Sequence, residues 1–233
     1  TGRDTRNRKQ YRYHEKWSEA QAETKFASLV DFAHALPRLR RFVARDLDQQ
    51  AGERSFALAS AVTLIDRASR SRHVKLDGNV IRLRYTAKGG KKVRRQINDR
   101  TLAKTLEKIN DLPGAELLTW ADAQGEVHQL NSAGLNAYIA EASGCDDFTA
   151  KTFRTWAGTV AAFEAAEKGQ ATIKQLAEAA AAQLSNTPTV ARNSYIHPAV
   201  IDLAGEAPPE IKVGRKTGLF ASEARLLTYL EQL

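Results

Sequence analysis

The sequence predicts an α+β protein, mostly α-helical, with one small antiparallel sheet of three short strands. Three observations point there. Apolar residues recur at helical spacing on both sides of one stretch, residues 73–97, where the period changes to two. Ala-rich runs dominate the C-terminal half. The chain has 233 residues, 42% of them hydrophobic, which suffices to bury a core in one large domain or two small ones.

The elements follow in order. Residues 1–17, TGRDTRNRKQYRYHEKW, interleave Tyr11, Tyr13 and Trp17 with Arg and Lys, a combination able to contact phosphates and to stack on bases. From Ser18 to Ser69 the spacing of Phe26, Leu29, Val30 and Ala33, and again of Phe56, Ala59, Val62 and Ile65, predicts helices. Pro37 is expected to punctuate the first. The run PRLRRFVARDL sets Leu39, Phe42 and Val43 on one side and arginines around the other; a solvated helix face explains those arginines as well as a binding surface does. In residues 73–97, Val80, Arg82 and Arg84 alternate with Ile81, Leu83 and Tyr85, while Asp77-Gly78 and Gly89-Gly90 supply the turns of a three-stranded meander. Beyond Asp99 the chain reads as helical again, over 149–168 and 171–184 and in a last stretch carrying Leu219, Phe220, Leu226, Leu227 and Leu230. Ser132 and Thr149 are the expected N-caps. Residues 205–218, rich in Pro, Gly and charge, are the one stretch with the composition of a disordered segment.

Composition narrows the function. Thirty-five Lys+Arg against 27 Asp+Glu leave a net charge of +8, which favours a polyanion because each neutralised phosphate releases condensed counterions. A single cysteine, Cys145, excludes an internal disulfide framework and fits a reducing compartment. No apolar run approaches the length that spans a bilayer, and the first residues lack the apolar core of a signal peptide, so the expected location is the cytoplasm, with the nucleoid, and no membrane partner. Methionine is absent, which reads as a chain that begins inside a longer polypeptide. There is neither a G-x-x-x-x-G-K-[ST] nor a G-x-G-x-x-G cradle for a nucleotide. The five histidines are scattered without i,i+4 pairing, and Asp146 and Asp147 are adjacent and so point to different faces; no metal and no cofactor are expected.

What remains is a set of Arg, Lys, Asn and Tyr in which the chain becomes recognisable. The runs AKTFRTWAGTV (150–160) and LSNTPTVARNSYIHPAV (184–200) strongly resemble the signature of the bacterial and poxvirus-type DNA topoisomerases IB. Upstream, GRDTRNRKQYRYHEKW, KFASLVDFAHALPRLRR and RHVKLDGNVIRLRYTAKGGKK resemble the same family in the same order, so that the likeness runs from Gly2 to Asp202. The resemblance implies a helical catalytic domain similar to that of the tyrosine recombinases over residues 18–233, preceded in 1–17 by the last strand of a β-rich DNA-binding domain. It implies double-stranded DNA as partner, bound by a monomer.

The chemistry implied is the storage of a phosphodiester bond in a phosphotyrosine, which needs a reachable phenol. A phenol titrates near 10 and is a poor nucleophile, so charge on the phosphoryl oxygens has to be stabilised and the leaving 5′ oxygen protonated. The planar fork of Arg suits the first task and the proton of Lys the second. By the resemblance Tyr195 is the nucleophile, Arg154 a phosphate clamp and Lys88, in the AKGGK turn, the general acid. Asn186 stands where the poxvirus-type enzymes carry a phosphate-binding histidine, and its amide can donate the same bond without the charge. Gln10, Tyr11 and Tyr13 match the Q-Y-x-Y core of the segment that grips the major groove. Taken singly, Tyr195 would be a packing or surface tyrosine, Arg154 a salt-bridging helix arginine, Lys88 a solvated hairpin lysine, and Gln10 to Tyr13 an ordinary terminal strand. His197 lies near Tyr195, but the family pattern gives it no role as a base.

The likeness breaks in one place. In the family a segment with a further catalytic arginine follows the helix that ends in LIDR, whereas here LIDRAS (64–69) runs straight into RSRHV (70–74), and Arg70 aligns with the far side of the gap. The natural polypeptide is therefore expected to be heavier than 25.7 kDa and to carry that segment between Ser69 and Arg70. Two alternatives stay open: a tyrosine recombinase or integrase, though residues 151–154 read KTFR rather than H-x-x-R, and a DNA-binding fragment without catalysis.

Overall fold

The computed structural model describes residues 2–3, 9–10, 15–49, 53–68, 80–86, 92–98, 119–214 and 216–233. Helix α1 (Glu15–Leu47) starts three residues before the expected Ser18 and runs 33 residues. Phe26, Leu29, Phe32, Ala33, Leu36, Leu39 and Val43 are buried at intervals that keep one face inward. Pro37 does not end this helix. A proline inside a helix costs about 3 kcal/mol, yet continuing the stripe buries Leu39 and Val43, each worth about 1.5–3 kcal/mol. The neighbouring chain also fits itself to Pro37: a Cβ on Gly218, whose φ is +85°, would lie 2.6 Å from the proline ring.

Helix α2 (Arg54–Ala68) buries Phe56, Ala59 and Val62 as expected and packs on α1. Of the α1 arginines, Arg38, Arg41 and Arg45 are exposed. Arg40 is not: it bonds both carboxylate oxygens of Asp66 at 3.2 Å and those of Glu223 at 2.8 and 2.9 Å.

Strands β1 (Gly2–Arg3) and β2 (Lys9–Gln10) pair antiparallel, Gly2 opposite Gln10. Strands β3 (Val80–Thr86) and β4 (Lys92–Asn98) pair in register from Val80↔Asn98 to Thr86↔Lys92. The described sheet thus has two strands; the expected third, and the turns at 77–78 and 89–90, lie outside the described residues.

A third antiparallel pair, β5 (Thr119–Ala121) with β6 (Val127–Gln129), stands in a region whose sequence reads as helical. Three-residue strands are too short to show alternation, and the turn carries the signal instead. The Asp122 carboxylate accepts from Gln124 and Glu126 N–H at 3.0 and 2.9 Å, and Gly125 takes φ +81°.

Helix α3 (Ser132–Ser143) is capped by Asn131, one residue before the expected Ser132, because Asn131 holds the extended backbone and accepts from Gly134 N–H at 2.7 Å. Helix α4 (Ala150–Ala166) does follow Thr149, whose N–H donates to the Thr152 hydroxyl at 3.1 Å. Its Phe153, Trp156, Val160 and Phe163 fill the core, where the Phe32 ring meets Phe148 and Phe153 edge-on at 5.2 and 5.0 Å. Helix α5 (Ile173–Leu184) turns Ala177, Ala180 and Ala181 inward and packs on α4, small side chains allowing close approach. Helices α6 (Pro188–Tyr195), α7 (Pro198–Ile201) and α8 (Ala221–Leu230) complete the order, with Leu226, Leu227 and Leu230 buried as expected and Phe220 exposed. Among the described residues no helix is long and apolar enough to cross a membrane.

Candidate active site

The turn between α5 and α6 is written in the SNTP sequence. Ser185 ends α5 in the left-handed region at φ +55°, Asn186 N–H returns to the Ala181 carbonyl at 2.9 Å, Thr187 caps α6 through Val190 N–H at 3.3 Å, and Pro188 opens it. This turn brings α6 back along α4, and Tyr195 is the last residue of α6.

Its seat on α4 is made by Gly158 and Thr159. A Cβ on Gly158 would lie 2.5 Å from the Tyr195 carbonyl oxygen and 3.0 Å from the Tyr195 Cβ, so a hydrogen is all that fits there. The Thr159 hydroxyl lies 2.9 Å from the Thr155 carbonyl and 3.3 Å from that of Tyr195, sharing one proton between them, and accepts from His197 N–H at 3.1 Å. Both residues sit in the AGTV run that carried the resemblance, yet sequence reading gave them no role.

Arg154, half-buried and one turn before Gly158, holds its guanidinium carbon 5.3 Å from the centre of the Tyr195 ring. Its Nη2 donates to the Leu184 carbonyl at 3.2 Å, at the negative end of α5 and two residues before Asn186. Arg40 and Arg225 are neutralised by carboxylates, whereas among the described residues none pairs with Arg154. Tyr195 differs in a similar way from Tyr138 and Tyr229, the other tyrosines whose side chains are described. Tyr138 donates its hydroxyl to Asp46 at 2.9 Å and Tyr229 to the Ala199 carbonyl at 3.0 Å. The Tyr195 hydroxyl has no partner among the described residues, and its ring is only half-buried.

A further cation was missed. Lys25 of α1 donates to the Ser194 carbonyl, in the last turn of α6, and its Nζ lies 5.5 Å from the Tyr195 ring centre and 4.5 Å from that of Phe26. Burial, and then the charge of Lys151, pull its pKa down to about 8. The signal was present: Lys25 precedes Leu29 by four residues and Phe32 by seven, so a charge occupies a core position of the α1 stripe.

His197 has a structural task. Its Nδ1 accepts from Ala199 N–H at 3.2 Å, capping α7, and its ring meets Phe26 edge-on at 5.5 Å. Burial keeps its pKa below the usual histidine value. Asp146 and Asp147 are exposed before α4.

The structure therefore brings Tyr195, Arg154 and the Asn186 turn together. Lys88 falls in residues 87–91, between the paired ends Thr86 and Lys92, and lies outside the described residues, as do Tyr11, Tyr13 and the Ser69–Arg70 junction. Gln10 has a strand position in β2.

Residues 69–197, more than half of the chain, match the catalytic core of eukaryotic DNA topoisomerase I, and the chain belongs to that family. Its poxvirus-type affinity holds as well. A DNA topoisomerase 1B of Acanthamoeba polyphaga mimivirus is 26% identical over 244 aligned residues, covering 89% of this chain and 72% of that protein. The aligned stretch is longer than the chain of 233 residues, so the viral relative carries residues with no counterpart here.

Proposed function

We propose that this protein relaxes supercoiled DNA by cutting one strand through a 3′-phosphotyrosyl intermediate at Tyr195 and resealing it, without ATP or metal. In this reading the Tyr195 hydroxyl gives up its proton to solvent as its oxygen attacks the scissile phosphorus, the P–O5′ bond breaks, and the phosphoryl group passes to the tyrosine, so that its energy is kept for religation. Arg154 binds non-bridging oxygens as charge builds on them. Asn186 donates an amide N–H to the same phosphate, and Lys88 protonates the leaving 5′ oxygen. Gln10, Tyr11 and Tyr13 contact the major groove, and the arginines beside them neutralise backbone phosphates. The natural polypeptide carries a second arginine in a segment between Ser69 and Arg70.

The observation that carries the reading is the pairing of a tyrosine hydroxyl that no described residue bonds with an arginine that no described carboxylate neutralises, 5.3 Å from its ring. Relaxation of a supercoiled plasmid in EDTA, without ATP, is the test. We expect relaxation, and a covalent adduct on a nicked suicide substrate that is lost in Tyr195→Phe while noncovalent affinity is kept. An adduct trapped from Tyr195→Phe would move the nucleophile elsewhere. DNA binding with neither relaxation nor adduct would leave the non-catalytic alternative.

A further inference from the structure

Among the described residues, Lys25 is the one charged side chain of α1 that reaches Tyr195, and nothing in the mechanism above uses it. It joins residues 169 apart in the sequence: Lys25 of α1 and Ser194 in the last turn of α6, which carries Tyr195. Carbonyls of a last helical turn lack intrahelical partners and gather the negative end of the helix dipole, so an ammonium on the Ser194 carbonyl satisfies both needs. A lysine doing only that could point its remaining protons at water. Here the ammonium is also half-buried and within 5.5 Å of the Tyr195 ring, where the electron-rich face attracts a cation.

We propose that Lys25 is a positioning residue for the cleavage step, its charge fixing the end of α6 and the Tyr195 ring in the orientation from which the phenol attacks. The idea rests on Tyr195 being the nucleophile. Its charge dependence separates it from plain packing. The charged and titratable groups around Lys25 are Lys151 and Arg154 of α4, Tyr195 of α6, and His197, whose ring meets Phe26. Among the described residues none of these is a carboxylate. Burial and the Lys151 charge bring the pKa of the ammonium to about 8, and it loses its proton just above neutral pH. A neutral amine keeps the hydrogen bond to the Ser194 carbonyl but loses its attraction to the ring. The cost of holding a buried cation here is one that a tie between helices does not require, since a leucine or methionine would fill the same space.

The experiment compares wild type, Lys25→Arg and Lys25→Met in single-turnover adduct formation on a nicked suicide substrate between pH 6.5 and 9.5, with melting temperature and noncovalent affinity measured alongside. At pH 7 Lys25→Met should form adduct about tenfold more slowly, the size expected of one lost cation–ring contact and helix-end charge. Lys25→Arg, whose charge does not titrate in this range, should recover most of that rate. The wild-type rate should fall above pH 8, and that fall should be absent from both variants. If wild type forms no adduct, or Tyr195→Phe still forms one, the proposed function fails before Lys25 is at issue. If wild type forms the Tyr195 adduct and Lys25→Met matches its rate and pH profile, only the role of Lys25 is overturned. Equal slowing of Arg and Met variants in step with their melting temperatures would also overturn it, because a packing tie is then sufficient.

Discussion

Gly158→Ala adds one methyl group at the point where α4 and α6 touch. The new carbon would start 2.5 Å from the Tyr195 carbonyl oxygen, 2.9 Å from Leu184 Cδ1 and 3.0 Å from Tyr195 Cβ. A carbon sits beside a carbonyl oxygen at about 3.3 Å, so the end of α6 has to retreat by about 0.8 Å. Two of the three contacts are to the Tyr195 backbone and its first side-chain atom, which cannot rotate away. Overpacking of this kind costs about 1–3 kcal/mol, while replacing glycine by alanine inside a helix returns about 1 kcal/mol. The net loss of about 0–2 kcal/mol corresponds to a fall in melting temperature of at most about 8 °C for a chain of this size. The catalytic loss is larger, since displacing a reacting group by about 1 Å costs on the order of 100-fold in rate. Single-turnover adduct formation, run well below the melting temperature, should therefore drop on the order of 100-fold while noncovalent DNA affinity stays near wild type. A folded Gly158→Ala protein that forms adduct at the wild-type rate would refute the claim that this contact seats the nucleophile.

A DNA substrate with sulfur at the 5′ bridging position leaves without a proton, so it should rescue Lys88→Ala far more than Arg154→Ala; equal rescue sinks the division of roles. Glu223 is buried and accepts from Arg40, from Trp156 Nε1 at 3.2 Å and from Phe220 N–H at 2.9 Å. Glu223→Ala leaves Arg40 with Asp66 as its one described carboxylate and removes the acceptor of Trp156 Nε1–H and Phe220 N–H, costing about 3 kcal/mol and on the order of 10 °C in melting temperature, whereas Arg41→Ala, at an exposed position, should stay within about 0.5 kcal/mol; calorimetry on both checks this contrast. His197 has a folded pKa below its unfolded value of 6.5, so the unfolded chain takes up the proton first and stability falls as pH drops through 6.5. His197→Asn keeps a cap acceptor for Ala199 N–H but does not titrate, and its melting temperature should lose less than wild type between pH 7.5 and 5.5; equal losses would show that the acid sensitivity arises elsewhere.

The sequence by itself determined what repeats or what is chemically singular. Helical stripes such as Phe26, Leu29 and Ala33, the Thr149 start of α4 and the β3–β4 pair are local patterns, and local sterics suffice to produce them. Tyr195, Arg154 and Asn186 stood out because they lie in long ordered motifs, and the structure places that arginine beside that tyrosine and against the end of the helix before that turn. The tertiary structure alone decided whatever depends on a partner distant in the chain. Pro37 stays inside α1 because the helix beyond it has a core to bury and Gly218 to receive the ring. Arg40 leaves the solvated arginine face because Asp66 and Glu223 meet it from two other helices. The β5–β6 hairpin escapes notice because its strands are three residues long and its turn carries most of its signal. Lys25 and Gly158 acquire meaning only where α1 and α4 converge on the end of α6, since nothing in their own neighbourhood of sequence says that a tyrosine will arrive there.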